Sequence, residues 1–280
     1  MLLPKEIVEN YIENSQNKIK TPTKTMILLG LMAGMFIACG ASASNVAMHS
    51  IDNIALSRFI GGCVFPIGLM MIIFIGGELF TGDCLMIMGY MDKKYKIIHI
   101  VKVLLIVYIS NLIGSLILAF LVNRSGQLNY TNNLLGAYTI KVALNKSSIN
   151  FTTGIASGIL CNIFVCAAVL MATASKNVSG KILAVFFPIF AFVVSGYEHC
   201  VANMYYIPAG IFALNNEVYV NKAISEYGIT IDQLSNLNWG SFFMKNQLPV
   251  TIGNIIGGMF FIGLALYFVH HKKLQKRKWS

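Results

Sequence analysis

Long apolar runs separated by short polar connections dominate this chain, and the runs show neither the three-four spacing of an amphipathic surface helix nor the alternation of a half-buried strand. A helical bilayer span needs roughly 20 mostly apolar residues. Six stretches qualify, at about 25–49, 59–91, 97–122, 153–175, 182–214 and 248–269. The second and fifth are longer than one crossing, and each is interrupted. Phe59 to Gly76 is apolar, Gly77-Glu78-Leu79-Phe80-Thr81-Gly82-Asp83 intervenes, and Cys84 to Met91 resumes the run. In the fifth, Ala184 to Val194 leads to Ser195-Gly196-Tyr197-Glu198-His199, and Cys200 to Leu214 follows with Pro208 inside it. The pattern predicts an all-α integral membrane protein of six transmembrane helices with the second and fifth broken.

Ahead of the first span, Leu3, Ile7, Val8, Tyr11 and Ile12 fall at helical spacing, which predicts a short amphipathic helix at the membrane surface or against the mouth of the helical domain. With Lys5, Glu6, Glu9 and Glu13 and no long apolar stretch, residues 1–24 do not read as a cleavable secretory signal. The chain therefore divides into an N-terminal amphipathic segment (1–24), a six-helix domain (25–270) and a basic tail (271–280), with no linker or low-complexity segment between them.

Composition agrees with this reading: of 280 residues 56% are hydrophobic and 11% charged, where a soluble domain averages about 25% charged. The formal net charge of +10 is a topology signal. With six spans both termini share a side, and fifteen of the 21 basic residues fall on that side, from Lys5 to Lys278. Arg58, Arg124, Lys141, Lys146, Lys222 and Lys245 fall on the other. Positive residues stay cytoplasmic, so the reading places both termini in the cytoplasm of a plasma-membrane protein and the 123–150 and 215–247 connections outside. The cluster Lys272 to Lys278 reads as an anchor to anionic lipid, not as a nucleic-acid site.

Ionisable residues and unwound backbone at membrane depth are both costly unless they are buried in protein or line water. Both costs fall at the two breaks. Glu78 and Glu198 read as support for the breaks, accepting bonds from the backbone N–H groups that the interruption frees. His199 is chemically different, since an imidazole donates, accepts and changes protonation near neutral pH. The halves also echo each other in order. Gly30-Leu-Met-Ala-Gly34 parallels Gly154-Ile-Ala-Ser-Gly158, Gly77-Glu78 parallels Gly196-Tyr197-Glu198, and Asn111-Leu-Ile-Gly-Ser115 parallels Asn254-Ile-Ile-Gly-Gly258. Three spans per half means that the halves face opposite ways, and inverted repeats with paired broken helices put a permeation site where the breaks meet.

At these residues the chain resembles the formate/nitrite transporter family. The resemblance rests on Gly77-Glu78-Leu79-Phe80-Thr81, Gly158-Ile-Leu-Cys-Asn162, Ser195-Gly-Tyr-Glu-His-Cys-Val-Ala-Asn-Met204 and Pro249-Val-Thr-Ile-Gly-Asn-Ile-Ile-Gly-Gly258, and it covers nearly the whole chain. It implies an aquaporin-like 3+3 helical fold, a homopentamer with one pore per protomer, and passage of small monovalent anions or their conjugate acids: hydrosulfide, formate or nitrite. It further implies that His199 is the central pore histidine with Thr81 facing it. Leu69, Leu79, Phe80 and Val165 would form the cytoplasmic constriction, and Phe65 and Phe192 the outer one. Lys146 would be a vestibule lysine that attracts anions, and Asn162 and Asn254 pore-lining amides. Gly82-Asp83-Cys84 after Thr81 departs from formate-type members and is similar to the hydrosulfide branch.

Two accounts of transport follow from this reading. Either proton transfer involving His199 lets the substrate cross as the neutral acid, or the anion stays charged and His199 only donates a hydrogen bond. A proton-coupled secondary carrier is the alternative to a channel, and an aquaporin-like neutral-solute pore is weakened by the lack of Asn-Pro-Ala at either break. Cys39, Cys63, Cys84, Cys161, Cys166 and Cys200 lie in or beside apolar spans with no C-x-x-C or Cys/His cluster, and read as small buried hydrophobes. No motif for an enzyme, cofactor or metal is present, and the lack of a phosphate-binding glycine loop weighs against ATP-driven pumping.

Overall fold

A computed structural model describes residues 1–270; the basic tail predicted at 271–280 lies outside the described residues. The described chain is helical. An N-terminal helix α1 (Pro4–Lys20) precedes α2 (Thr23–Met48), the first span. The second span consists of α3 (Ile54–Val64) and α4 (Ile67–Ile75), which bend at Phe65-Pro66, and after a break it resumes as α5 over 80–91 with one 3-10 turn at Cys84–Met86. The third span is α6 (Ile97–Arg124). The second half repeats the order: α7 (Tyr130–Ser147), α8 (Phe151–Ala174), α9 (Val178–Ser195), a break, and α10 (Cys200–Ala213). A polar helix α11 (Glu217–Tyr227) then leads to the last span, α12 (Trp239–His270), which carries π-helical stretches at Phe242–Gln247 and Gly257–Leu264.

Six of these segments are long and apolar enough to cross a membrane: Thr23–Met48, Ile54–Ile75, Ile97–Arg124, Phe151–Ala174, Val178–Ser195 and Trp239–His270. Large apolar side chains stay exposed along them, among them Ile109, Ile113, Ile117, Phe187 and Phe260. An exposed apolar surface on this scale is what a bilayer or further subunits cover. The half-helices α5 and α10, in contrast, are almost wholly buried, so the breaks lie inside the protein.

The hydrogen bonds at the two breaks are the same. Asn111 on α6 donates through Nδ2 to the Gly30 carbonyl (2.8 Å) and the Glu78 carbonyl (2.9 Å), while its Oδ1 accepts from the Phe80 N–H (3.0 Å). Asn254 on α12 donates to the Gly158 carbonyl (2.8 Å) and the Glu198 carbonyl (3.1 Å) and accepts from the Cys200 N–H (2.9 Å). One buried amide per half thus ties the first helix of that half to both sides of its interrupted one. Glycine makes each break possible: Gly76 at φ 103° and Gly196 at φ 73° end α4 and α9 in backbone that side chains rarely adopt. Gly114 and Gly257, each three residues past its asparagine, lie against the backbones of Leu31 and Ile159, where a Cβ would collide.

The bonds also set a register that the glycine spacing left ambiguous. Gly30 answers to Gly158, one helical turn away from the expected pairing of Gly30 with Gly154, because a Gly-xxx-Gly pattern fits equally well one turn along and only the asparagine bonds distinguish the two. Two connections differ from expectation as well. Residues 123–150 hold the helix α7, regular after positive φ at Thr131, Asn132 and Asn133, and α12 begins well before 248. The reason lies in polar residues whose partners are far away in sequence. Asn246 bonds Asn203 (2.8 Å) and the Lys146 carbonyl (2.8 Å), and Gln247 donates to the Cys200 carbonyl (3.0 Å), so both are buried in a helix that their polarity hides.

Candidate functional site

The two breaks meet at Thr81 and His199. Thr81 Oγ1 lies 2.9 Å from His199 Nε2, and both residues are buried. His199 is also the N-cap of α10, where its Nδ1 receives the Ala202 backbone N–H at 3.1 Å. An Nδ1 that accepts carries no proton, so in the neutral ring the hydrogen sits on Nε2 and is donated to Thr81 Oγ1. The Thr81 hydroxyl hydrogen is then free for another acceptor. Protonating the ring would add a hydrogen at Nδ1 and break the cap.

A cavity lies on each side of this pair. On the face that carries α7, about 160 Å³ is lined by Phe65, Phe192, His199, Lys146, Asn203 and Tyr206 among others. Phe65 and Phe192 meet edge to face with ring centroids 5.5 Å apart, and the Phe192 ring lies 6.0 Å from that of His199. On the α1 face, about 140 Å³ is lined by Leu69, Ile72, Leu79, Gly82, Asp83, Val169, Tyr11 and Lys18. Polar groups therefore bracket an apolar waist with one hydroxyl–imidazole pair at its centre.

Each cavity holds a lysine that bonds the glutamate of the nearer break. Lys146, at the end of α7, donates to Glu198 Oε1 at 2.8 Å and lies 5.2 Å from the Tyr206 ring centre. Glu198 Oε2 accepts from Asn203 at 2.6 Å and from Asn246 at 3.3 Å. On the opposite face Lys18 pairs with Glu78, and it donates to Asp83 at 2.5 Å. Burial works against the Lys18 charge, but Asp83 and Glu78 outweigh it and hold its pKa well above the usual lysine value. α1 is thus docked onto the helical domain, with Val8, Tyr11 and Ile12 buried and the Tyr11 hydroxyl donating to the Gly82 carbonyl at 2.9 Å.

Several residues have other neighbours than the sequence suggests. The carboxylates of Glu78 and Glu198 bond lysines; the freed backbone groups are satisfied by Asn111 and Asn254 instead, since an amide both donates and accepts there. Asn162 and Asn254 line neither cavity. Asn254 is used up at its break, and Asn162 donates to the Asn254 carbonyl (2.6 Å) and the Thr81 carbonyl (3.2 Å), locking the backbone behind the centre. Leu69 and Leu79, with Val169, line the α1-side cavity, whereas Phe80, which packs against Tyr108 at 4.9 Å, and Val165 do not line it. Lys18, Asn111, Asn203 and Asn246 were not expected at the site. A signal for Lys18 exists: it precedes Gly30 by the same interval as Lys146 precedes Gly158. Seeing it requires the register of the repeat.

Six spans, two of them broken, with a cavity on either side of the place where the breaks meet, define a multi-pass membrane protein of the transporter class. Comparison with known proteins makes this specific. A family model described as Formate/nitrite transporter matches residues 5–268, and the chain belongs to that family. It is 36% identical over 278 residues to an uncharacterized transporter of Bacillus subtilis, covering 98% of this chain and 96% of the relative. It is 34% identical to a probable formate transporter of Methanothermobacter thermautotrophicus, covering 91% and 92%. Among solved structures, a pentameric formate channel with formate bound aligns with a TM-score of 0.80 at 30% identity, over 89% of this chain and 98% of that one.

Proposed function

We propose that the chain is a membrane channel for small monovalent anions of the formate, nitrite and hydrosulfide type or their conjugate acids. It would work as a homopentamer with one pore in each protomer, its halves inverted copies and both termini cytoplasmic. The observation that carries this reading is the pair of cavities separated by Phe65, Phe192, Leu69 and Leu79, with Thr81 and His199 between them. The family, and relatives whose names specify formate, support the substrate class. The excess of basic residues on the terminal side supports the orientation.

The physical problem for such a pore is desolvation. A small anion that leaves water for an apolar ring loses hydration worth many kcal/mol, and only donors placed along the way offset that loss. Lys146, paired with Glu198, and Arg58, which lines the same cavity, leave the outer vestibule with one surplus positive charge that concentrates anions. Beyond Phe65 and Phe192 the free hydrogen of Thr81 replaces a water donor, and His199 fixes the threonine so that this hydrogen points away from the ring. In this account His199 acts as a neutral hydrogen-bond donor and positioning residue and does not shuttle the proton.

Proteoliposome flux of formate, nitrite and hydrosulfide, measured at fixed pH, tests the class: saturating uptake of none of them, or conduction of glycerol instead, would overturn it. The same assay run from pH 5 to pH 8 with His199→Asn tests the histidine. Lower flux with an unchanged pH profile is expected, and a lost pH profile would return proton transfer to His199.

A further inference from the structure

The two lysine sites share a lysine–glutamate pair and differ in the charge of the groups around it. Asp83 follows Glu78 by the same interval as Asn203 follows Glu198. On the α7 face one ammonium meets one carboxylate and two amides, Asn203 and Asn246; that cluster is neutral, and Arg58 lines the same cavity. On the α1 face one ammonium meets two carboxylates. Asp83 is 1% exposed, lines the α1-side cavity, and spends only Oδ1 on Lys18; Oδ2 has no hydrogen-bond partner among the described residues. A buried carboxylate oxygen without a donor is a costly arrangement when ionised and a natural place for a proton. The other titratable groups near it are Tyr11 and Lys18 from α1, Glu78 from the break, Cys84 beside it, Cys166 from α8 and Tyr95 from the turn before α6. Lys18 is the only cation among them.

We infer that Asp83 is a proton-binding site at the α1-side mouth that makes the pore respond to pH unequally from its two faces. With Asp83 ionised the mouth carries one surplus negative charge and disfavours anions arriving from that side. When Asp83 takes a proton from water, on Oδ2, the surplus disappears and the Lys18–Glu78–Asp83 cluster becomes neutral, as the Lys146–Glu198 pair is. Acidification on the α1 face thus admits anions from that face more readily, whereas acidification on the α7 face meets no equivalent group. This inference rests on the anion-channel reading given above.

Intact cells and inverted membrane vesicles expose opposite faces, so initial uptake of labelled formate between pH 8 and pH 5 in both, each normalised to its pH 8 rate, reads the asymmetry. The rise of the neutral acid with acidification is common to every arm and cancels in the comparison. Wild type should show a steeper rise from the α1 face, by roughly fourfold, the weight of one unit charge at about 5 Å in water. Asp83→Asn, which installs the residue of the α7-side site, should reduce that rise to the profile of the other face. Asn203→Asp should steepen the α7-side profile. An unchanged α1-side profile in Asp83→Asn, with formate still transported, would overturn the inference. Absence of formate, nitrite and hydrosulfide uptake by wild type in both preparations would overturn the channel reading itself.

Discussion

Replacing Asn254 by leucine, which is close to it in size, removes a side chain that makes three bonds and leaves its volume filled. Gly158 keeps its place in the helical ladder of α8, but the Glu198 carbonyl and the Cys200 N–H lie at the break, where no neighbouring turn can serve them. A buried polar group left unpaired costs about 1–3 kcal/mol, so the pair amounts to roughly 2–6 kcal/mol. Because Asn111 makes the same three bonds, Asn111→Leu should cost a similar amount through the Glu78 carbonyl and the Phe80 N–H. Melting of the purified pentamer in detergent, followed by loss of the oligomer on gel filtration, measures both. Each variant should melt well below wild type, and the two should lie close together. A variant pair with wild-type melting, or one in which only one half is sensitive, would refute the view that these amides hold the breaks.

Three further outcomes are expected. Thr81→Val removes the hydroxyl that faces His199 and should lower formate flux about tenfold or more, the rate equivalent of one hydrogen bond of about 1.4 kcal/mol, while Thr81→Ser retains most of it in the same proteoliposome assay. Lys146→Ala strands Glu198 in a largely buried site and should lower both melting temperature and flux, and adding Glu198→Gln should restore melting without restoring anion attraction, seen as a raised half-saturation concentration. Lys222→Ala, which breaks the exposed Lys222–Glu226 pair on α11, should change melting by less than about 0.5 kcal/mol and serves as the control.

The spans and breaks were legible because bilayer burial imposes a composition that hydropathy alone detects, and because Glu78, Glu198 and His199 stand out against it. The boundaries of α12 and the existence of α7 were not. Asn246 and Gln247 are polar residues made compatible with a buried helix by Asn203, Glu198 and Cys200, partners that no local window contains. The docking of α1 was half legible: the periodicity of Val8, Tyr11 and Ile12 marked a face to be covered, but not whether lipid or protein covers it. Lys18 looked like one of many topology charges, and only its place relative to Gly30 separates it from Lys20 and Lys24. Among the predicted waist residues, Phe65, Leu69, Leu79 and Phe192 border a cavity while Phe80 and Val165 do not, a distinction that depends on helix rotation more than on residue type.

The paired asparagines bear on how the protein is made. Lys18, Gly30, Glu78, Phe80 and Asn111 all precede α7, so α1 and the first three spans together hold the lysine that pairs with Glu78 and the amide that bonds the Glu78 carbonyl and the Phe80 N–H. The second three contain theirs in Lys146, Gly158, Glu198, Cys200 and Asn254. A nascent chain can therefore neutralise the first intramembrane glutamate before the ribosome has finished the second half. Bonds that wait for both halves include those from Thr81 to His199, from Asn162 and Cys166 to the Thr81 carbonyl, from Tyr108 to Gln247 and Thr251, from Tyr267 to the Met91 carbonyl and from the Leu2 N–H to the Ala174 carbonyl. The Thr81–His199 pair is one of these, so the centre where the two breaks meet takes shape only when the second half docks, at the seam between two units that each pair their own break glutamate with a lysine.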